Sequence, residues 1–241
     1  MSSATTPKSA TRAPGRARLD AESIVAAGIE LARSTGAGGI SVRDLGARLG
    51  ADPTAIYRHF RSKESLMQAL LDDLITRTVE EVTAPPDEWR DRLRQLARAT
   101  LDLFSEHPSI GVEATVLTTH GPGELSAVEF MLDAFAHAGL EGDEQVRHYA
   151  LYASHVLTGS AGIARARAER TAVGESSTRW FDGPFAADPA RYPHVARLLP
   201  ELLQLEDHDL FSLGIENIIQ SAERAASHAR GDDEAPPTLD E

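Results

Sequence analysis

Cysteine is absent from the 241 residues, which excludes a disulfide framework, a Cys-based zinc site and thiol catalysis, and leaves no sign of an oxidising compartment. Nowhere do 18 apolar residues run together, and the basic residues near the start (Lys8, Arg12, Arg16, Arg18) have no apolar stretch behind them. The chain is therefore expected to be neither exported nor membrane-spanning, and a cytoplasmic protein fits best. Enzyme signatures are missing too: there is no His-Glu-x-x-His, no phosphate-cradling Gly-x-x-x-x-Gly-Lys and no Gly-x-Ser-x-Gly. Gly159-Ser160-Ala161-Gly162 is one residue short of the last and sits in a helical pattern. An enzyme would have to rest on unpaired carboxylates alone, and no catalytic residue or cofactor is called for. Alternating strand patterns are lacking as well, so an all-α fold is expected.

Charge is present in quantity but is unevenly placed. The net charge is −13, which by itself argues against a polyanionic partner, because phosphate binding needs Lys and Arg to displace counterions. Residues 1 to 65 reverse that argument: they hold 10 Lys+Arg against 6 Asp+Glu, a net +4, whereas residues 66 to 241 hold 14 against 31, a net −17. A solvated basic tail would give the same numbers, so charge permits nucleic-acid binding without proving it.

Residues 1 to 18 are rich in Ser, Thr, Ala, Pro and Arg with almost no large apolar side chain; they read as a mobile basic arm. From Leu19 a helical pattern (Ile24, Ala27, Gly28, Leu31) runs to a break at Gly36-Ala37-Gly38-Gly39. Ser41 and Asp44 have capping-box spacing ahead of Val42, Leu45 and Leu49, and this short second helix stops at Gly50. Asp52-Pro53 pairs an N-cap acceptor with a first-turn proline and opens a third helix whose buried side is Ile56 and Phe60. Ser62 can cap a fourth, with Leu66, Leu70 and Leu74 every four residues as far as Pro85-Pro86.

The expected domains are a helix-turn-helix unit over 19–65 and a helical body over 66–230. Within the body, helices are expected from Trp89 to about Glu106, Pro108 to Thr118, Pro122 to Ala138 and Asp143 to Glu169. A mobile loop then runs from Thr171 to about Tyr192, and a final amphipathic helix carries Leu210, Leu213, Gly214, Ile218, Ile219 and Ala222. Residues 231–241 read as a disordered acidic tail.

Two short helices joined by a glycine-containing turn are the geometry of a helix-turn-helix, although an ordinary helical hairpin has the same spacing. The third helix leaves Thr54, Ala55, Tyr57, Arg58 and His59 for a groove or its walls. Ser41-Val42-Arg43-Asp44-Leu45-Gly46-Ala47-Arg48-Leu49-Gly50, then Thr54-Ala55-Ile56-Tyr57-Arg58-His59-Phe60, then Ser62-Lys63-Glu64-Ser65-Leu66 resembles the TetR/AcrR family signature. The resemblance covers about residues 19–75.

The resemblance implies a ligand-responsive repressor that binds a palindromic double-stranded DNA operator as a homodimer and is released by a small-molecule effector. Each position also has a physical reason. Ser41 at a helix N-terminus would hold a phosphate. Arg43 has the fork and reach for a guanine edge or a phosphate, and Thr54 and Ala55 are small enough to touch a thymine methyl. Tyr57, His59 and Lys63 resemble the family's phosphate contacts. Arg58 contacts DNA or is solvated, and Arg16 and Arg18 enter the minor groove or stay free.

The body resembles the family only in kind. It implies an effector pocket, for which Phe104, Val116, His120, Phe130, Tyr149 and Tyr152 are candidates with Trp180 and Phe181 as covers, although residues of these types at helical spacing are more often plain core than pocket. The last two long helices are expected to pair with a second subunit, since Leu157, Gly159, Ala161, Gly162 and Ala164 suit close approach; packing within one chain is the alternative. His148 and His155 read as hydrogen-bonded histidines rather than metal ligands. A helical module whose hairpin meets protein instead of DNA remains open, and the weaker salt dependence of such contacts would separate it from a DNA reader.

Overall fold

Ten α-helices and one 3-10 turn organise the chain in a computed structural model that describes residues 19–36, 38–175, 177–181 and 186–231. The expected arm over 1–18, with Arg16 and Arg18, and the acidic tail beyond Gly231 lie outside the described residues.

Local chemistry sets the first four helices. Helix α1 (Ala21–Thr35) opens on a reciprocal capping box between Asp20 and Ser23 and stops at Gly36, whose φ of 56° a side chain would resist. Helix α2 (Val42–Leu49) is capped by the Ser41 hydroxyl, which accepts from the Asp44 N–H at 3.4 Å. The expected box is half made, since Asp44 returns no bond. At its other end Gly50 is left-handed, and Gly50 and Ala51 donate to Ala47 and Gly46 (3.2 and 2.9 Å), which satisfies two of the four carbonyls that a helix end leaves unpaired. Gly46 lies against the following turn so tightly that a Cβ would stand 2.8 Å from the Ala51 carbonyl oxygen. Helix α3 (Pro53–Ile56) starts on Asp52 and the N1 proline, then tightens into turns as far as Phe60.

Helix α4 (Lys63–Glu80), opened by a Ser62–Ser65 capping box, is about 27 Å long at 1.5 Å per residue. It belongs to both halves of the molecule. Leu66, Met67, Leu70, Leu71 and Leu74 are buried with Ile24, Ile29, Leu45, Ile56 and Phe60 in an N-terminal core, while Ile75 also packs against the core of the body. The expected boundary at 65/66 thus falls at the start of a helix that the two cores share.

The body comprises α5 (Trp89–Glu106), α6 (Pro108–Gly111), a 3-10 turn (Val112–Thr115), α7 (Pro122–His137), α8 (Gly142–Ala172), α9 (Pro193–Leu202) and α10 (Asp207–Arg230). Helix α8 packs against α5, α7 and α10. The expected single helix over 108–118 is instead four residues of α-helix and a 3-10 turn. The final amphipathic stretch is two helices, with residues 203–206 between them and Pro200 inside α9.

Within the expected 171–192 loop, residues 178–180 are tied down. Thr178 accepts from the Asp207 N–H (2.9 Å), Trp180 donates to Leu205 (2.8 Å), and Arg170 donates to the Arg179 carbonyl (2.8 Å). Beneath it the buried Asp207 carboxylate receives Nε and Nη2 of Arg167 at 3.1 and 2.5 Å. A second cross-tie lies on α5, where Arg94 clasps both oxygens of Glu216 on α10 (2.6 and 2.8 Å) and reaches Asp91 (2.7 Å). That pairing raises the pKa of the Arg94 guanidinium further above its ordinary value and lowers that of Glu216.

Candidate nucleic-acid interface and effector cavity

Residues 41–63 present one polar face. Ile56 and Phe60 are buried as expected, which turns Thr54, Tyr57, Arg58 and His59 outward; Ala55 and Ser41 are half-buried, and Arg43 and Lys63 are exposed. Tyr57 is a large hydrophobic side chain left 47% exposed, a costly placement for a lone monomer unless its ring and hydroxyl serve a partner.

Hydrogen bonding sorts the face further. The Thr54 hydroxyl donates to Asp52 Oδ1 (2.6 Å), beside the bond from its own N–H (2.8 Å), so Thr54 offers outward its methyl and oxygen lone pairs. Those two bonds hold the Asp52 carboxyl below its ordinary pKa, hydroxyl bond first. Arg43, Arg58 and Lys63 make no ion pair among the described residues, whereas Arg48 is bound to Glu30 (2.7 Å) and Arg33 to Glu106. Arg61 was missed in the sequence. It is exposed, has no ion pair among the described residues, and sits on the turn between His59 and Lys63; its place two residues before a proposed phosphate anchor was the available signal.

A cavity of about 200 Å³ opens between α4, α5, α7 and α8. Leu71 and Ile75 come from α4, Leu96 and Thr100 from α5, Met131 from α7, and Tyr149 and Tyr152 from α8. Two of the six candidate pocket residues therefore line it. The other four do not. Phe104 is fully buried in the N-terminal core, its ring so close to Gly111 that a Cβ there would stand 2.8 Å away. Val116 is 75% exposed, and His120 lies on an exposed loop with φ 54°. Phe130 lies under the Arg92 guanidinium, 4.2 Å from its ring centre. Nor does Trp180 cover the cavity; it lines a separate groove with Arg170, Asp207 and Phe211. Phe181 is not among the cavity residues.

Tyr152 is wholly buried, donates its hydroxyl to the Leu93 carbonyl (2.5 Å), and has its phenol pKa pushed up by that burial. At the other end of the cavity Asp72 of α4 caps the start of α7, accepting from the Gly123 and Glu124 N–H groups (both 3.0 Å) and from the Thr119 hydroxyl (2.6 Å). Gly123 is required there, because a Cβ would stand 2.3 Å from the Asp72 carbonyl oxygen. The Glu124 carboxylate in turn accepts from the Thr119 and His120 N–H groups (2.7 and 2.8 Å). No residue of this cluster was singled out as a ligand-cavity residue except His120, because it joins groups some fifty positions apart.

On α8, Ala161 and Ala164 are buried within the chain, Leu157 borders the cavity and Gly159 abuts Phe211. Of the expected interface residues on that helix only Gly162 faces open space. Helix α10 buries Phe211, Ile215, Ile218 and Ile219 but leaves Leu213 56% exposed. The two helix histidines are hydrogen-bonded: His148 to the Glu144 carbonyl (2.8 Å) and Ser221 (3.2 Å), His155 to the Phe211 carbonyl (2.9 Å). No described helix is long and apolar enough to cross a membrane.

Residues 24–70 match the family described as bacterial regulatory proteins, tetR family, and residues 83–224 match the tetracycline repressor-like C-terminal domain. The chain belongs to the TetR family. It is a helix-turn-helix DNA-binding transcriptional regulator. Among its relatives are the HTH-type transcriptional repressor DrrR1 of Streptomyces coeruleorubidus, 26% identical over 89% of this chain and 81% of that protein. Another is the class D tetracycline repressor protein of Escherichia coli, 28% identical over 86% of this chain and 90% of that one. The fold matches that of apo ActR from Streptomyces coelicolor, a TetR family protein, with a TM-score of 0.72 at 20% identity, covering 88% of this chain and 99% of ActR. ActR has also been solved in complex with actinorhodin, at a TM-score of 0.69 and 18% identity over 87% of this chain and 99% of that one.

Proposed function

We propose that this TetR-family regulator is a homodimeric repressor that binds a palindromic operator and is released when a small molecule enters the cavity between α4, α5, α7 and α8. The observation that carries this is the double membership of α4. One stretch of it fills the helix-turn-helix core, Leu71 and Ile75 wall the cavity, and Asp72 between them holds the start of α7. A ligand that changes the α7 wall therefore bears on the helix that seats the reading head. It shifts the equilibrium only by its differential affinity for the two arrangements, so an effector fits the DNA-incompetent spacing better. Binding alone suffices; no chemistry on the ligand is involved, and the protein acts in the bacterial cytoplasm, where the DNA is.

Dimerisation through α8 and α10 is supported by the outward Leu213 and the open space at Gly162. A two-fold axis there would place the two reading heads about 34–36 Å apart, one turn of DNA. In this arrangement Arg43, Thr54, Ala55, Tyr57, Arg58, Arg61 and His59 meet the groove and its walls, and Ser41 and Lys63 meet phosphates. A gel-shift on DNA upstream of the gene itself, with Tyr57→Ala as control, tests this. Salt-sensitive binding to a palindromic site, lost in the variant, is the expected result, and its absence from every palindrome selected from a random pool overturns it.

A further inference from the structure

Four of the six hydroxyl groups that line the cavity have their protons engaged elsewhere. Thr78 donates its hydroxyl to the Ile75 carbonyl (2.7 Å) and Thr100 to the Leu96 carbonyl (2.8 Å), each into its own helix. Tyr152 donates to Leu93 (2.5 Å), and the Thr119 hydroxyl lies 2.6 and 3.0 Å from Asp72 and Glu124 carboxylate oxygens. Turned toward a ligand, these hydroxyls can only accept. Tyr149 and the exposed Thr118 keep a hydroxyl proton unassigned among the described residues.

Glu124 is the single Asp, Glu, Lys, Arg or His among the lining residues. Its Oε2 takes the bonds from Thr119 and His120, which leaves Oε1 with no partner among the described residues. No Lys or Arg among the described residues pairs with Glu124 or with Asp72 beside it, so the loop end of the cavity is an acceptor site of negative sign within walls that carry no basic side chain. Carboxylate or phosphate ligands would meet repulsion there and would find few donors to replace their lost water.

Resting on the assignment of this cavity to the effector, we infer that its ligand is a lipophilic cation: an aromatic or aliphatic body carrying a protonated amine, with the amine N–H groups on Glu124 Oε1 and the body against Leu71, Met131 and Tyr149. The same carboxylate holds the 119–120 loop, which Thr119 joins to Asp72 on α4. An amine drawing on Glu124 therefore acts on the group that links the ligand to the reading head.

The test uses three probes of one shape on the full chain: phenylbutylamine, phenylbutanol and phenylbutyrate, each titrated by calorimetry, with protein–ligand NOEs to the methyls of Leu71 and Met131 fixing the location. The amine is expected to bind about tenfold or more tighter than the alcohol, and the carboxylate weaker than both, as suits a hydrogen bond to a charged acceptor. Glu124→Gln, which keeps an oxygen for the Thr119 and His120 N–H groups, should erase the preference for the amine while leaving alcohol affinity unchanged; Glu124→Asp should retain the preference. A loss of folding would instead weaken all three probes alike. If all three bind at the NOE-defined site with equal affinity, or the carboxylate binds best, the cation assignment is overturned and the effector cavity stands. If none shows those NOEs, the cavity assignment falls and the ligand class with it.

Discussion

Arginine is divided differently between ion pairs and open surface in the reading head and in the body. Residues 19–65 hold six Lys+Arg and six Asp+Glu, so the folded head is neutral and the whole +4 of the first 65 residues comes from the arm. Structure divides the six cations. Arg33 and Arg48 are paired with carboxylates, and Arg43, Arg58, Arg61 and Lys63 have no ion pair among the described residues. In the body most arginines are paired: Arg77, Arg90, Arg92, Arg94, Arg147, Arg165 and Arg167 each meet an Asp or Glu, whereas Arg179, Arg191, Arg197 and Arg224 have no ion pair among the described residues. Net charge is thus a poor guide to which surface meets a polyanion. What matters is which cations remain free to displace counterions.

The comparison can be broken most forcefully in the body. Asp207→Asn leaves Arg167 without its charge partner in a largely buried place, and should lower stability by about 3 kcal/mol in urea denaturation. DNA affinity of the folded fraction should stay within a factor of about two. Arg43→Ala should do the reverse, weakening operator binding by about 2 kcal/mol with no change in melting temperature, because the side chain supports nothing in the fold. A matching drop in melting temperature would mean that Arg43 is a structural residue like those of the body. Lys63→Ala is expected to cost about 1 kcal/mol on every DNA sequence and to reduce the slope of log K against log salt by about one.

The smallest effect belongs to Glu216. Its carboxyl pKa is held below the ordinary value by Arg94, so its contribution is present above the unfolded pKa of about 4.3 and is lost as pH falls through the depressed folded value. The pair is well exposed on both sides, so Glu216→Gln should destabilise by less than about 1 kcal/mol at pH 7. That difference should vanish as the pH of thermal melts is taken down through the depressed folded value. A difference that survives once both carboxyl states are protonated would assign the effect to packing.

Helices α2, α3 and α4 were legible because their signals are local: Ser41, Asp52-Pro53 and Ser62 at the starts, Gly50 at a stop, Leu66, Leu70 and Leu74 on one face. The break between α9 and α10 was not, since a continuous apolar pattern across 193–222 concealed a turn that the neighbouring loop stabilises through Leu205 and Asp207. In the cavity, aromatic type pointed to Tyr149 and Tyr152, yet it could not tell a cavity wall from the other core, where Phe104 lies, or from the half-buried place against the body core where Phe130 stacks under Arg92.

Sequence alone determined the family, the all-α class and the outward face of α3, because caps, glycine turns and three- and four-residue periodicity act over a few residues and need no partner. Tertiary structure alone decided which cations are free, where the cavity lies and that Asp72, Thr119 and Glu124 form one cluster, with Asp72 some fifty positions from the other two. Those outcomes depend on which helices meet. Hydrogen bonds and burial between distant segments exist only after the chain has closed the loops between them.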